Sequence, residues 1–247
     1  MEAVTVKDYY QSTPIVKHYS RAASKVGLWL SEKKIFTRYL NQNDDVLELG
    51  TGGGRIALGL HRIGYARVLA VDFSRPLIER ARMTAADLGC PFDFRVMDAT
   101  ALDLADQQFD GAIFGFNGIM QIPKRENRRR AMAEVFRVLK PGGCFIFTAH
   151  DRNLSKYQDF WKREKMRWHR DEQKPELDEF GDRFELTPDG HLFIHIPDNE
   201  EVRQDLKATG FKIEADIIRS RLADEPLAVR EFSDLCRFWV ARKPAGM

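Results

Sequence analysis

The sequence predicts an α/β protein: a doubly wound, mostly parallel seven-stranded sheet with helices on both faces and an inserted helix and β-hairpin as a lid. Two observations carry this. Nine runs of strand length lie between Asp45 and Arg242, two of them in a hairpin, and helices alternate with the strands from Asp45 to Ala149, a pattern that implies βαβ units. A glycine-rich run, Gly50–Gly54, stands between the first of these strands and the helix after it, where the backbone can approach a ligand.

Residues 14–40 read as helical, with Ser31 as an N-cap and Ile35, Phe36, Tyr39 and Leu40 as an apolar stripe. Asp45–Leu49 is a buried strand. A helix carrying Ile56, Leu58, Leu60 and Ile63 follows the glycines. Arg67–Val71 is the second strand, with Asp72 and Phe73 at its carboxyl end. Ser74 caps the next helix, which Gly89 stops. Phe92–Val96 is the third strand, ending near Asp98, and Gly111–Phe116 the fourth. Glu126–Leu139 is a helix closed by a Lys140–Gly143 turn, and Cys144–Ala149 is the fifth strand.

The alternation breaks after His150. Leu154–Arg170 is an aromatic-rich helix, and Arg183–Thr187 with His191–Ile196 form a hairpin around Pro188-Asp189-Gly190. Glu200–Thr209 is a helix, and Phe211–Ile218 and Cys236–Arg242 are the late strands. The chain therefore reads as one domain: an N-terminal helical lid (1–43), a core (44–149), an insertion (150–197) and a C-terminal helix with two strands (198–247).

Composition narrows the class. With 43% hydrophobic and 31% charged residues the chain is globular rather than disordered. A net charge of +2 gives no global signal for nucleic acid or membrane. The basic runs Lys124–Arg130 and Lys162–Arg170 read as solvated helix faces. No apolar run reaches the roughly 18 residues that span a bilayer, and residues 1–4 lack a signal-peptide pattern. Three distant cysteines form neither a disulfide framework nor a zinc knuckle. A cytoplasmic protein is expected.

The glycine loop itself discriminates between ligands. A dinucleotide fingerprint needs its third glycine at position 55, which is Arg55. Glu48 precedes the glycines, and a carboxylate there repels phosphates but attracts an ammonium.

At these residues the sequence resembles the class I S-adenosylmethionine-dependent methyltransferases. Glu48–Gly54 (ELGTGGG) is similar to the family's first motif, Val71–Ser74 (VDFS) to the second, and Met97–Thr100 (MDAT) to its adenine station. Phe109–Asn117 and Arg137–Gly143 resemble its fourth strand and the turn into its fifth. The resemblance covers residues 44–149 and implies a Rossmann-like methyltransferase fold with S-adenosylmethionine as cofactor. It implies that Gly50, Thr51, Gly52 and Gly54 cradle the methionine part and that Glu48 supports its ammonium. Asp72 would bind the ribose hydroxyls, Phe73 would pack on adenine, and Asp98 and Ala99 would read the adenine edge. Phe116 would lie near the sulfonium.

Methyl transfer from a sulfonium needs alignment more than a base, so the sequence carries no decisive catalytic signature. His150, after strand five, is the candidate base or substrate contact. Tyr19, Asn117 and Trp161 are candidate substrate contacts, with other aromatics around the mouth suggesting a closed pocket for a small methyl acceptor. His191 and His195 invite a metal reading, but on a strand they lie roughly 13 Å apart, so no metal is expected. The expected activity is methylation of an oxygen or nitrogen of a small molecule, with no nucleic acid or membrane as partner; the oligomeric state stays open. Three rivals stay open: an RNA methyltransferase using the basic runs as a phosphate track, a nicotinamide oxidoreductase, and a non-catalytic protein that binds the cofactor.

Overall fold

A computed structural model describes residues 6–17, 19, 26–187 and 190–246. One sheet holds β1 (Asp45–Leu49), β2 (Arg67–Asp72), β3 (Asp93–Val96), β4 (Phe109–Phe114), β5 (Leu139–Ala149), β8 (Lys212–Ile218) and β9 (Arg237–Arg242). Its order is β3-β2-β1-β4-β5-β9-β8. The first five strands run parallel, and β9 lies antiparallel between β5 and β8. This is the doubly wound, mostly parallel seven-stranded sheet that the sequence predicts.

Alternation along the strands sorts the core into two layers. Val46, Ile113, Ile146, Phe238 and Val240 face α2 (Leu30–Tyr39), α3 (Arg55–Arg62) and α4 (Arg75–Asp87). Leu47, Ala112, Phe145, Phe147 and Trp239 face α5 (Arg125–Val138) and α7 (Asn199–Ala208). Because β1 is covered on both faces, it reads as a nearly unbroken apolar run. Each fully buried Leu, Ile or Phe here contributes about 1.5–3 kcal/mol.

The strand order reverses between β1 and β4. In open α/β sheets the loops leaving such neighbours part and leave a crevice at the carboxyl ends. Over it lies α1 (Val6–Gln11), packed through Tyr9 and Tyr10 on Leu77 of α4 and on Leu192. Leu192 belongs to a separate hairpin of β6 (Asp182–Thr187) and β7 (Gly190–His195), and the Tyr9 hydroxyl meets Thr187 Oγ1 at 3.1 Å. Two of the expected turn residues, Pro188 and Asp189, lie outside the described residues, as do 18 and 20–25 in the expected first helical stretch.

Several local expectations are corrected. Trp29, not Ser31, is the N-cap of α2. Ser31 is buried, and its N–H and that of Leu30 donate to the carboxylate of Glu225, at 2.9 and 3.0 Å. β4 ends at Phe114 because Phe116 and Asn117 turn into the left-handed region, at φ 48° and 57°. The expected Lys140–Gly143 turn is built into the start of β5 as an irregularity in its pairing with β4. The aromatic helix opens as a 3₁₀ turn at Ser155–Tyr157 before α6 (Gln158–His169). Two short helices, α8 (Arg219–Leu222) and α9 (Leu227–Phe232), fill the link between β8 and β9 that the sequence left unassigned.

The Lys124–Arg130 run is not a solvated face. Arg125 and Arg129 both donate to Asp205 Oδ1, at 2.9 and 2.7 Å, and buried Arg128 pairs with Glu179 at 2.6 Å. The hairpin also brings His195 beside Asp182 and Glu179, with ligand-capable atoms within 4.8 Å of one another. Both imidazole nitrogens are already engaged there, by Asp182 and Glu201 at 2.7 Å each, and Arg128 holds Glu179. This is a buried ion network joining the hairpin to α5 and α7. Among the described residues no helix is long and apolar enough to cross a membrane.

Candidate functional site

The turn after β1 is shaped by two glycines. Gly50 has φ +64°, and a Cβ there would stand 2.8 Å from the Phe114 ring. Gly54 has φ +85°, and its Cβ would meet Ala81 at 3.3 Å. The loop therefore turns sharply and lies close against β4 and α4. Around it opens a cavity of about 530 Å³, inside the range of roughly 300–1,000 Å³ typical of small-molecule sites.

Carboxyl groups from three successive strand ends line that cavity: Glu48 next to the last residue of β1, Asp72 at the end of β2 and Asp98 just past β3. Glu48 is fully buried and accepts the Thr51 hydroxyl at 2.8 Å. Burial lifts its pKa to about 8, against the pull of Thr51 and of the Arg55 charge. Asp72 accepts the Gly52 N–H with one oxygen and the Ser74 N–H with the other, both at 2.8 Å. Burial raises it to about 6, while these two N–H groups pull the other way. Ser74 is the N-cap of α4 by position, but its hydroxyl donates to the Tyr10 carbonyl at 2.8 Å, tying α1 to the wall. Asp98 is exposed and braced by the N–H and hydroxyl of Thr100, at 2.8 and 2.7 Å.

Gly50, Thr51, Gly52, Phe73, Ala99, Phe116 and Tyr19 also line the cavity. Gly54 does not; it serves the turn from behind. Tyr19 lies over Gly52, 3.8 Å from where a Cβ would stand, and meets the Phe116 ring edge-on at 6.1 Å. Tyr10 closes the other side, edge-on to Phe73 at 5.7 Å and donating to Gln121. Burial raises both phenols, Tyr19 to about 12.

Three expected contacts do not line the cavity: His150, Asn117 and Trp161. His150 follows β5, one strand beyond the switch point. Its Nδ1 faces the Leu235 carbonyl at 3.0 Å and its Nε2 faces the Asn117 amide at 3.3 Å. That pattern assigns a neutral ring, protonated at Nδ1, and burial lowers its pKa. Asn117 turns into the interior, its N–H donating to Thr148 Oγ1 at 2.8 Å. Trp161 packs edge-on against Phe160 and Phe180, at 5.0 and 5.6 Å.

Sequence reasoning missed Val6, Tyr10, Gln121 and Phe232, which line the cavity from remote segments. Only the aromatic character of Tyr10 and Phe232 signalled them. Arg55 also lines it, although the sequence used that residue only to exclude a dinucleotide loop.

The donor set fits an adenosyl amino acid. A buried acid beside a glycine turn suits an ammonium, and a carboxylate closing the second strand suits a ribose diol. Acidic groups along this wall disfavour a pyrophosphate. The fold and site thus define a protein of the S-adenosylmethionine-binding α/β class.

Comparison with known proteins agrees. A family model described as a methyltransferase domain matches residues 46–143. The chain is 40% identical over 113 residues to a ubiquinone/menaquinone biosynthesis C-methyltransferase of Desulfotalea psychrophila, covering 44% of each chain. It is 38% identical over 104 residues to a demethylmenaquinone methyltransferase of Thermus thermophilus, covering 41% of this chain and 44% of that one. These matches span less than half the length of those curated relatives. A solved S-adenosylmethionine-dependent methyltransferase of Methanosarcina mazei has the same fold, with TM-score 0.69 and 24% identity over 85% of this chain and 97% of that one. The match to a methyltransferase domain thus covers the sheet core from β1 to the start of β5, and the likeness to the solved structure extends the fold to most of the chain.

Proposed function

We propose that the chain methylates a small organic molecule at an oxygen or nitrogen atom, with S-adenosylmethionine as donor. One observation carries the reading: the carboxyls of Glu48, Asp72 and Asp98 meet in one cavity around the glycine turn at the β1/β4 switch point. S-adenosylmethionine supplies a methyl group already activated on a positive sulfur. The chain's part is to bind, orient and keep water out. In this reading Glu48 and the Gly50–Gly52 backbone hold the head group, Asp72 the ribose, and Phe73, Asp98 and Ala99 the adenine. Tyr19 and Phe116 wall the acceptor end.

Alignment of this kind is worth roughly 7–11 kcal/mol, so a titrating base is dispensable. His150 then supports Asn117, and through it the turn that carries Phe116, rather than taking a proton. Trp161 supports the insertion from within. A carbon acceptor is the second reading, favoured by the C-methyltransferase named among the relatives. The pairing of Arg125, Arg128 and Arg129 with acids weighs against a phosphate track for RNA.

The test is a thermal-shift titration with S-adenosylhomocysteine, followed by transfer of labelled methyl to small-molecule and RNA fractions. At 100 times its dissociation constant the ligand stabilises by about 2.7 kcal/mol. Loss of that shift in Asp72→Ala supports the site. A wild-type protein indifferent to the ligand, or label found only in RNA, refutes the proposal.

A further inference from the structure

Arg55 is the first residue of α3, almost fully buried, and it lines the cavity beside Glu48. Its guanidinium lies over the Trp29 ring at 4.7 Å, with the Phe116 ring at 5.8 Å. Nη1 donates to the Gly27 carbonyl at 2.8 Å and to Glu32 Oε2 at 2.6 Å, and Nη2 donates to Glu32 Oε1 at 2.6 Å. Glu32, wholly buried, thus occupies the end of the guanidinium.

A guanidinium has five N–H donors in a fixed plane. Three are accounted for. The Nε–H and the second Nη2–H, which together form the side-on fork, have no partner among the described residues. Among the described residues no Arg55 nitrogen is a buried group without a partner, so the free edge is reachable from the cavity that Arg55 lines, and a side-on fork matches a carboxylate with two parallel hydrogen bonds. A lysine here would pair with Glu32 but lack that fork.

Charge at this end of the cavity has a matching logic. Glu48 and Arg55 stand close enough to influence each other. An acid and a base side by side recognise a zwitterion, and an amino-acid head group is one. We propose that Arg55 binds the carboxylate of the cofactor's amino-acid head group through its side-on fork, with Glu32 as the positioning residue that aims it. The assignment rests on the cofactor reading above and adds a residue to it.

Calorimetry on the full chain with three ligands separates the two claims. S-adenosylhomocysteine has the whole head group, its decarboxylated analogue lacks only the carboxylate, and 5′-methylthioadenosine lacks the head group. In the wild type the first binds at least about tenfold more tightly than the second, as a hydrogen-bonded charge pair implies. Arg55→Gln abolishes that ratio and leaves 5′-methylthioadenosine within about twofold of wild type. Glu32→Gln narrows the ratio, which a purely packing role for Glu32 leaves unchanged. The double variant Arg55→Gln/Glu32→Gln leaves no orphaned charge and gives the same loss of ratio if the single variant folds poorly. A ratio preserved in the double variant overturns the assignment, and so does equal weakening of all three ligands in both Arg55 variants. A wild type that binds none of the three refutes the cofactor reading itself, and Arg55's role falls with it.

Discussion

The wall and the roof of the cavity are made in different ways. The wall is local: Glu48–Gly52 and Asp72–Phe73 carry the chain out of β1 and β2, Asp98–Ala99 lie just past β3, and Asp72 is fixed by main-chain N–H groups. The roof is assembled from far apart: Val6 and Tyr10 from α1, Tyr19 beyond it, Gln121 after β4 and Phe232 from α9. Its stability is borrowed from the hairpin, through Leu192, Thr187 and the His195 network. The difference teaches that in the proposed function the wall would carry the recognition of the ligand and the roof would govern access to it.

The strongest way to break the roof alone is His195→Ala. It strips the partner from buried Asp182 and from Glu201, a loss of about 3–5 kcal/mol, seen as a lower melting temperature. S-adenosylhomocysteine affinity falls with it, while the Asp72-dependence of whatever binding remains is kept. On the wall, Gly50→Val forces a side chain into Phe114 at a positive φ. A loss of about 2–4 kcal/mol follows, and ligand binding disappears even in protein that stays folded by circular dichroism.

Leu192→Ala opens a cavity between hairpin and α1 and costs about 2–3 kcal/mol in a denaturant titration. Its signature is a faster ligand off-rate with little change in on-rate. Tyr10→Phe removes the hydroxyl's contacts with Gln121 and with the Tyr19 hydroxyl, about 1 kcal/mol each, and sharpens the comparison by leaving the wall intact.

Both regions lose stability as pH rises, over windows that open at different values. Glu48 and Asp72 are acids whose folded pKa values, about 8 and about 6, lie above the ordinary 4.5 and 3.8. Their contribution to stability is complete below those ordinary values and is lost as pH rises through 6 and then 8. His195 is also raised, against burial, by Asp182 and Glu201. Its contribution is complete below 6.5 and disappears as pH climbs through its folded value. Without ligand, stability therefore declines from about pH 5 towards 8. Glu48→Gln flattens the part of the denaturation profile near pH 8. A profile unchanged in that variant removes Glu48 as its cause.

How legible each region was in the sequence follows from the same contrast. β1 was readable because Val46, Leu47 and Leu49 put apolar side chains on both faces, as cover from both sides requires. Asp72 and Asp98 were readable as cavity residues because they stand at or just past strand ends, where the crevice of this architecture opens. Ser31 misled because a serine before an apolar stripe suggests a local cap, whereas the groups at that helix start are satisfied by Glu225, 194 residues away along the chain. No local pattern encodes such a partner. His150 misled for a subtler reason: it does stand at a carboxyl strand end, but on β5, so β4 separates it from the reversal of strand order. Tyr10 and Phe232 were invisible as site residues because the roof depends on which distant segments fold over one another.

Glu225 carries a consequence for how the molecule is made. During synthesis the chain emerges at about 5–20 residues per second, so the first N–H groups of α2 are finished roughly 10–40 seconds before the carboxylate that satisfies them exists. Trp29 waits as well, since Arg219 lies over its ring at 4.9 Å on the arm that carries Glu225. By the end of that interval the nascent chain has its central strands and its glycine turn, but α2 stays unfastened until Glu225 arrives.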